Sequence, residues 1–201
     1  MTPILTIEGR AAPLGLDNLD TDQLCAARFM KRRRHEGYGD ALLHDLRFTE
    51  AGAAKANPID AAAGAPILLA GRNFGGGSSR EAAVYAVLDA GFRAVLASSF
   101  GDIFAANAAR NGLVPAVVAP DALAAFLDLA RSAPQTPFRL DLAARTVSAG
   151  PHVAEFAIDD ARRTMLMNGW DDSDVTRQYR DAIAAFVEED AVRRPWAKPA
   201  P

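Results

Sequence analysis

Residues 71–81, Gly71-Arg72-Asn73-Phe74-Gly75-Gly76-Gly77-Ser78-Ser79-Arg80-Glu81, bring two hydroxyls and a guanidinium together behind four glycines. The apolar run Pro66 to Ala70 precedes them and reads as a buried strand. Ala82 to Ala90 follows and reads as a helix ended by Gly91. Glycines let the backbone turn sharply and let a ligand approach the main chain closely. The free N–H groups and the positive dipole end of the following helix favour an anion. Arg80 can grip a carboxylate through two parallel hydrogen bonds. The stretch therefore suits a small anionic substrate held beside a hydroxyl that acts on it.

A plainer reading uses the same residues. Ser78-x-x-Glu81 has the spacing of a capping box, in which both side chains only satisfy helix donors. A plain cap needs neither four glycines nor an arginine in the first turn, where its charge opposes the dipole. Two phosphate loops are weaker matches. Gly75-x-Gly77 leads to Arg80 instead of a third glycine, and no Gly-Lys-Ser or Gly-Lys-Thr occurs.

The 201 residues suffice for one domain with a sizeable core, and half of them are hydrophobic. A formal net charge of −3 gives no general attraction to nucleic acid. The one basic run, Lys31-Arg32-Arg33-Arg34-His35, reads as a solvated surface or a partner contact. The N-terminus lacks a signal-peptide pattern and no stretch has the length of a membrane span, so a cytoplasmic protein is expected. A single cysteine, Cys25, excludes an internal disulfide and a Cys-rich metal cage. His35, His44 and His152 are scattered, so no metal site is expected in this chain.

Ile4–Glu8 and Ala11–Leu16 read as two strands. Asn18-Leu19-Asp20-Thr21-Asp22-Gln23 reads as a polar turn, by default an Asx-turn or a helix cap. Residues 26–60 should hold short helices and a mobile substrate-side segment. From Pro66, strands at 67–69, 93–98 and 113–118 alternate with helices at 82–90, 100–109 and 120–130, which predicts α/β architecture with parallel strands. A hairpin at 138–148, a strand at 152–158 and a helix at 162–168 capped by Asp159 or Asp160 follow. One amphipathic helix is expected over 174–192. The β-rich flank predicts mixed layers, with a single domain over 1–192 and a frayed tail at 193–201.

The sequence resembles the small subunits of 3-isopropylmalate dehydratase, in the aconitase superfamily. The resemblance covers nearly the whole chain. It rests on Asn-x-Asp-Thr-Asp at 18–22, Gly-Tyr-Gly at 37–39, the 71–81 stretch, Ser-Phe-x-Asp-Ile-Phe at 99–104, Asn-Gly-Leu-x-Pro at 111–115 and Met-Asn-Gly-x-Asp at 167–171. It implies a swivelling three-layer β/β/α domain. It also implies a heterodimer with a large subunit that carries a [4Fe-4S] cluster, in line with the single cysteine here. The implied reaction is the dehydration of 2-isopropylmalate and rehydration to 3-isopropylmalate in leucine synthesis, with the cluster iron acting as a Lewis acid. Ser78 then matches the general base, Ser79 and Arg80 the groups that hold a carboxylate of the substrate, and Asp22 a polar active-site aspartate. The family usually has Cys where Gly76 stands, His where Ala82 stands, and often Arg-Thr-Gly at His35-Glu36-Gly37. The substrate-binding arginine expected there is Arg34 or is missing. Two other readings stay open: a hydratase for another small 2-hydroxy diacid of the citraconate or dimethylmalate type, and a non-catalytic partner subunit.

Overall fold

The fold turns on a single residue. Strands β1 (Thr6–Gly9) and β2 (Ala11–Pro13) are the two edges of one eight-stranded sheet, and Arg10 alone joins them. The sheet must therefore curl until its edges nearly meet. A computed structural model describes residues 1–197.

One half of the sheet is parallel: β2, β3 (Ile67–Leu69), β4 (Ala94–Ala97) and β5 (Val114–Val118). The other half is antiparallel and runs from β5 through β8 (His152–Ala157), β7 (Thr146–Ala149) and β6 (Phe138–Asp141) to β1. Strands β3 and β4 are buried at every position, as continuous apolar runs require when both faces are covered. Leu68, Val95 and Ala97 meet the crossover helices α4 (Glu81–Asp89) and α5 (Asp102–Arg110) on one face. Ile67, Leu69 and Leu96 point the other way, into a core with Phe138, Leu140 and Val147 of the antiparallel half. Helix α6 (Pro120–Ser132) fills that core with Leu123, Phe126 and Ala130, and Phe126 packs on Phe138 at 5.6 Å between ring centroids. The layers are helices, parallel strands and antiparallel strands, the expected β/β/α arrangement with an almost closed sheet.

Residues 26–60 contain the short helices expected there: 3-10 turns at Ala27–Phe29, Arg34–Glu36 and Gly39–Ala41, then α2 (His44–Arg47) and α3 (Pro58–Ala61). Asp159 caps the helix Asp160–Asn168, and Gly169 ends it in the left-handed conformation. The single helix over 174–192 is corrected to two, Asp172–Arg177 and Arg180–Arg193. Neither buries a residue, so the apolar positions Ile183, Phe186 and Val187 meet no core. Arg193 ends the last helix and a 3-10 turn follows at Pro195–Ala197. Of the tail expected at 193–201, residues 198–201 lie outside the described ones.

Candidate active site

Strands β2, β3 and β4 are parallel, so the loops leaving them emerge at the same sheet edge. There the three loops continue side by side. Gly71 N donates to Leu16 O at 3.0 Å, Asn18 N to Arg72 O at 2.7 Å, Gly75 N to Leu19 O at 2.7 Å and Thr21 N to Gly76 O at 3.0 Å. On the other flank Phe74 N donates to Ser99 O and Gly101 N to Phe74 O, both at 3.0 Å. Asn73 N donates to Ser99 Oγ at 2.8 Å. The carboxyl ends of parallel strands are where open α/β sheets place their ligands.

Two glycines of the loop show why it is drawn so tight. Gly75 has φ +72°, and a Cβ there would lie 2.2 Å from the Phe104 ring. Phe104 is itself buried and packs on Phe74. Gly76 does not have a positive φ, and its Cβ would meet only the Asn73 side chain at 3.1 Å. Gly75→Ala is therefore expected to destabilise by about 2–5 kcal/mol, from left-handed strain and overpacking together, and to lower Tm by roughly 5–15 °C. Gly76→Cys, the residue usual in the family, should cost less than about 1 kcal/mol. Thermal unfolding of both variants checks the contrast.

Ser78 does not cap the helix. Glu81 opens α4 and Arg80 takes the N-cap position without a side-chain cap bond. The Ser78 hydroxyl lies instead 3.4 Å from Thr21 Oγ1. The capping reading of Ser78-x-x-Glu81 is thus set aside, because the helix begins two residues too late for it. Glu81 accepts from Asn111 Nδ2 at 2.8 Å. Ser78 and Ser79 are exposed.

Arg80 carries the charge of the site. Its Nη1 sits against the Asp22 carboxylate, in the first turn of α1 (Thr21–Leu24). That nitrogen is buried, with the Asp22 carboxylate as its partner. Asp22 is exposed, whereas Arg80 is only about a quarter exposed. Asp20 holds α1 in place by a reciprocal capping box with Gln23. Ser78, Ser79, Arg80 and Asp22, distant in sequence, thus meet at one sheet edge.

Arg34 is not brought there. Its guanidinium makes two bonds to Asp89, at 2.6 and 2.8 Å, and its Cζ lies 4.4 Å from the centre of the Tyr85 ring. Asp89 ends α4, nine residues beyond Arg80, and that length of helix spans about 13 Å. Arg34 therefore lines a different cleft, of about 580 Å³, with Arg93 and the N-terminal strand. Burial of Tyr85 and its bond to Glu81 push its phenol pKa up.

The other departures from the family pattern are small side chains on the same loop and helix. Ala82 is buried in the core against α4's neighbours, and Gly76 faces Asn73. An iron–sulfur cluster does not fit this chain's donors. Cys25 is fully buried, burial pushes its thiol pKa up, and no group of three metal-ligating side chains occurs among the described residues. Among the described residues, no helix is long and apolar enough to cross a membrane.

Thr21 and Ser99 contact the 71–80 segment, through Ser78 and Asn73, and are not singled out by the sequence. Both lie inside motifs the resemblance quotes, yet only the paired loops reveal that they touch this segment.

The family of the aconitase C-terminal domain matches residues 1–121. A 3-isopropylmalate dehydratase small subunit from Acidothermus cellulolyticus is 43% identical over 99% of this chain and 98% of its own length. Proteins of the same name from Cytophaga hutchinsonii and Mesorhizobium japonicum are 39% and 37% identical, over 92% and 98% of this chain and 94% and 100% of their own lengths. The crystal structure of a 3-isopropylmalate dehydratase from Methanocaldococcus jannaschii superposes with a TM-score of 0.63 at 22% identity, over 90% of this chain and 98% of that one. At that identity the likeness speaks for the fold. The curled sheet, the loops zipped at its edge and the length of the sequence matches together place this chain in the family of 3-isopropylmalate dehydratase small subunits, within the aconitase C-terminal domain family.

Proposed function

We propose that this chain is the small subunit of a hydro-lyase that isomerises 2-isopropylmalate to 3-isopropylmalate by dehydration and rehydration, a step of leucine biosynthesis in the cytoplasm. The observation that supports this reading at the level of the site is the Arg80 guanidinium, held by Asp22 and only about a quarter exposed, on the loop that carries the exposed hydroxyls of Ser78 and Ser79. Asp22 occupies one nitrogen of the guanidinium, and its remaining N–H donors can meet a carboxylate of the substrate.

Arg80 then binds that carboxylate, with Ser79 as a second donor and Asp22 holding the guanidinium in place. Ser78 Oγ removes the proton from the carbon beside the carboxylate and returns a proton during rehydration. A serine hydroxyl is a weak base, so its ionised form must be stabilised by the charge of Arg80 and the free N–H groups opening α4. What acts on the departing hydroxyl lies outside this chain: we assign the [4Fe-4S] cluster, a Lewis acid, to a partner large subunit.

The test is the chain alone and the co-purified pair. Anaerobic treatment of the chain alone with iron and sulfide should give no cluster absorbance and no turnover. The pair should convert 2-isopropylmalate faster than citraconate or 2,3-dimethylmalate. A stable, active cluster on this chain alone, or faster turnover of another diacid, overturns the assignment.

A further inference from the structure

Apart from Cys25 and Tyr38, whose bulk is apolar, Thr21 is the only polar side chain buried among the described residues, at 2% exposure. A buried hydroxyl is costly without partners. Thr21 has two, and both belong to Ser78. Its Oγ1 donates to the Ser78 carbonyl at 3.0 Å and lies 3.4 Å from Ser78 Oγ.

A hydroxyl carries one proton. The Thr21 proton goes to the carbonyl, so between the two hydroxyls Ser78 must be the donor and Thr21 the acceptor. When that bond forms, the Ser78 proton is turned into the protein and the lone pairs of its Oγ face outward. Thr21 is well placed to impose this. Its backbone N is tied to Gly76 O at 3.0 Å, its helix is fixed by the Asp20–Gln23 capping box, and its branched side chain is stiff at χ1.

We propose that Thr21 is the positioning residue of Ser78: its hydroxyl directs the Ser78 O–H and donates to Oγ once that oxygen is ionised. On ionisation the Ser78 proton leaves to water. The Thr21 O–H then rotates about its Cβ–Oγ bond from the carbonyl to the charged oxygen, and no proton leaves Thr21. This rests on the reading of Ser78 as the base.

The experiment uses the pair reconstituted with its large subunit. Thr21→Val, which keeps shape and removes the hydroxyl, should lower kcat roughly ten- to a hundredfold and leave KM within about twofold. The rising limb of the kcat pH profile should move up by about one unit, the size of one hydrogen bond to an ionised group. Thr21→Ser should recover most of both. In a Ser78→Ala background, Thr21→Val should cost less than about a further twofold, because its target is gone. Thr21→Ala runs the same cycle if valine prevents assembly. Normal kcat in Thr21→Val, or an equal loss in both backgrounds, overturns the proposal. Near-normal turnover of Ser78→Ala alone overturns instead the reading on which it rests.

Discussion

Ser78→Ala is expected to lower kcat of the reconstituted enzyme by on the order of 10²–10⁴, the usual share of general acid–base catalysis, with KM little changed. Substrate would still be held by Arg80, Ser79 and the partner's surface. The structure also changes what should happen to stability. Ser78 is exposed, is not the cap of α4, and makes one side-chain contact, with Thr21. Its loss should therefore cost no more than about 0.5 kcal/mol, as surface substitutions do. Ser78→Gly should behave alike, since no capping bond distinguishes the two. Melting temperature and kcat measured on one preparation decide the matter. Near-normal turnover in either variant removes Ser78 from the chemistry.

Arg80→Lys should lower kcat/KM roughly ten- to a hundredfold, since a hydrogen bond to a charged group is worth about 1.5–3 kcal/mol. Lysine keeps the charge but offers a point cation where a planar fork is needed to meet a carboxylate with two bonds. The Asp22 contact gives a second expectation. That pair has an exposed carboxylate, and such pairs contribute at most about 1 kcal/mol. Melting should therefore shift by less than about 4 °C. Unchanged steady-state kinetics would show that Arg80 serves the fold alone, as partner of Asp22.

Both expectations follow from one architectural fact. The acting groups stand on loops at an open sheet edge, and Ser78 and Ser79 face solvent there. A serine base in bulk water would have no reason to ionise. A second surface that closes over this edge excludes water and strengthens every charge interaction inside. On the proposed mechanism the activity divides between two subunits: this chain would supply the carboxylate grip and the base, and its partner the remaining wall.

The candidate stretch 71–81 can be read from the sequence as one unit, between a strand and a helix, because it is local. Glycines, hydroxyls and an arginine at consecutive positions between a strand and a helix declare their conformational and chemical roles without reference to any other segment. The alternating apolar runs from Pro66 to Ala130 were legible for the same reason, because burial on both faces of a parallel strand leaves no polar position to confuse the period. What these residues meet was decided by the tertiary structure. Asp22 and Thr21 reach Arg80 and Ser78 only because parallel pairing of β2 and β3 runs on past the strands and lays Leu19 to Thr21 against Gly75 and Gly76. The same pairing carried Ser78 to Thr21 instead of into a cap. Arg34, which the resemblance offered as a carboxylate ligand, pairs with Asp89 because its 3-10 turn lies at the other end of α4. The last helix has apolar residues enough to predict a buried face, yet buries none, because the curled sheet has already covered both of its faces with α4, α5, α6 and its own antiparallel half. Side-chain type fixes what a residue can do. Strand pairing over long sequence separations fixes which other residue it does it with.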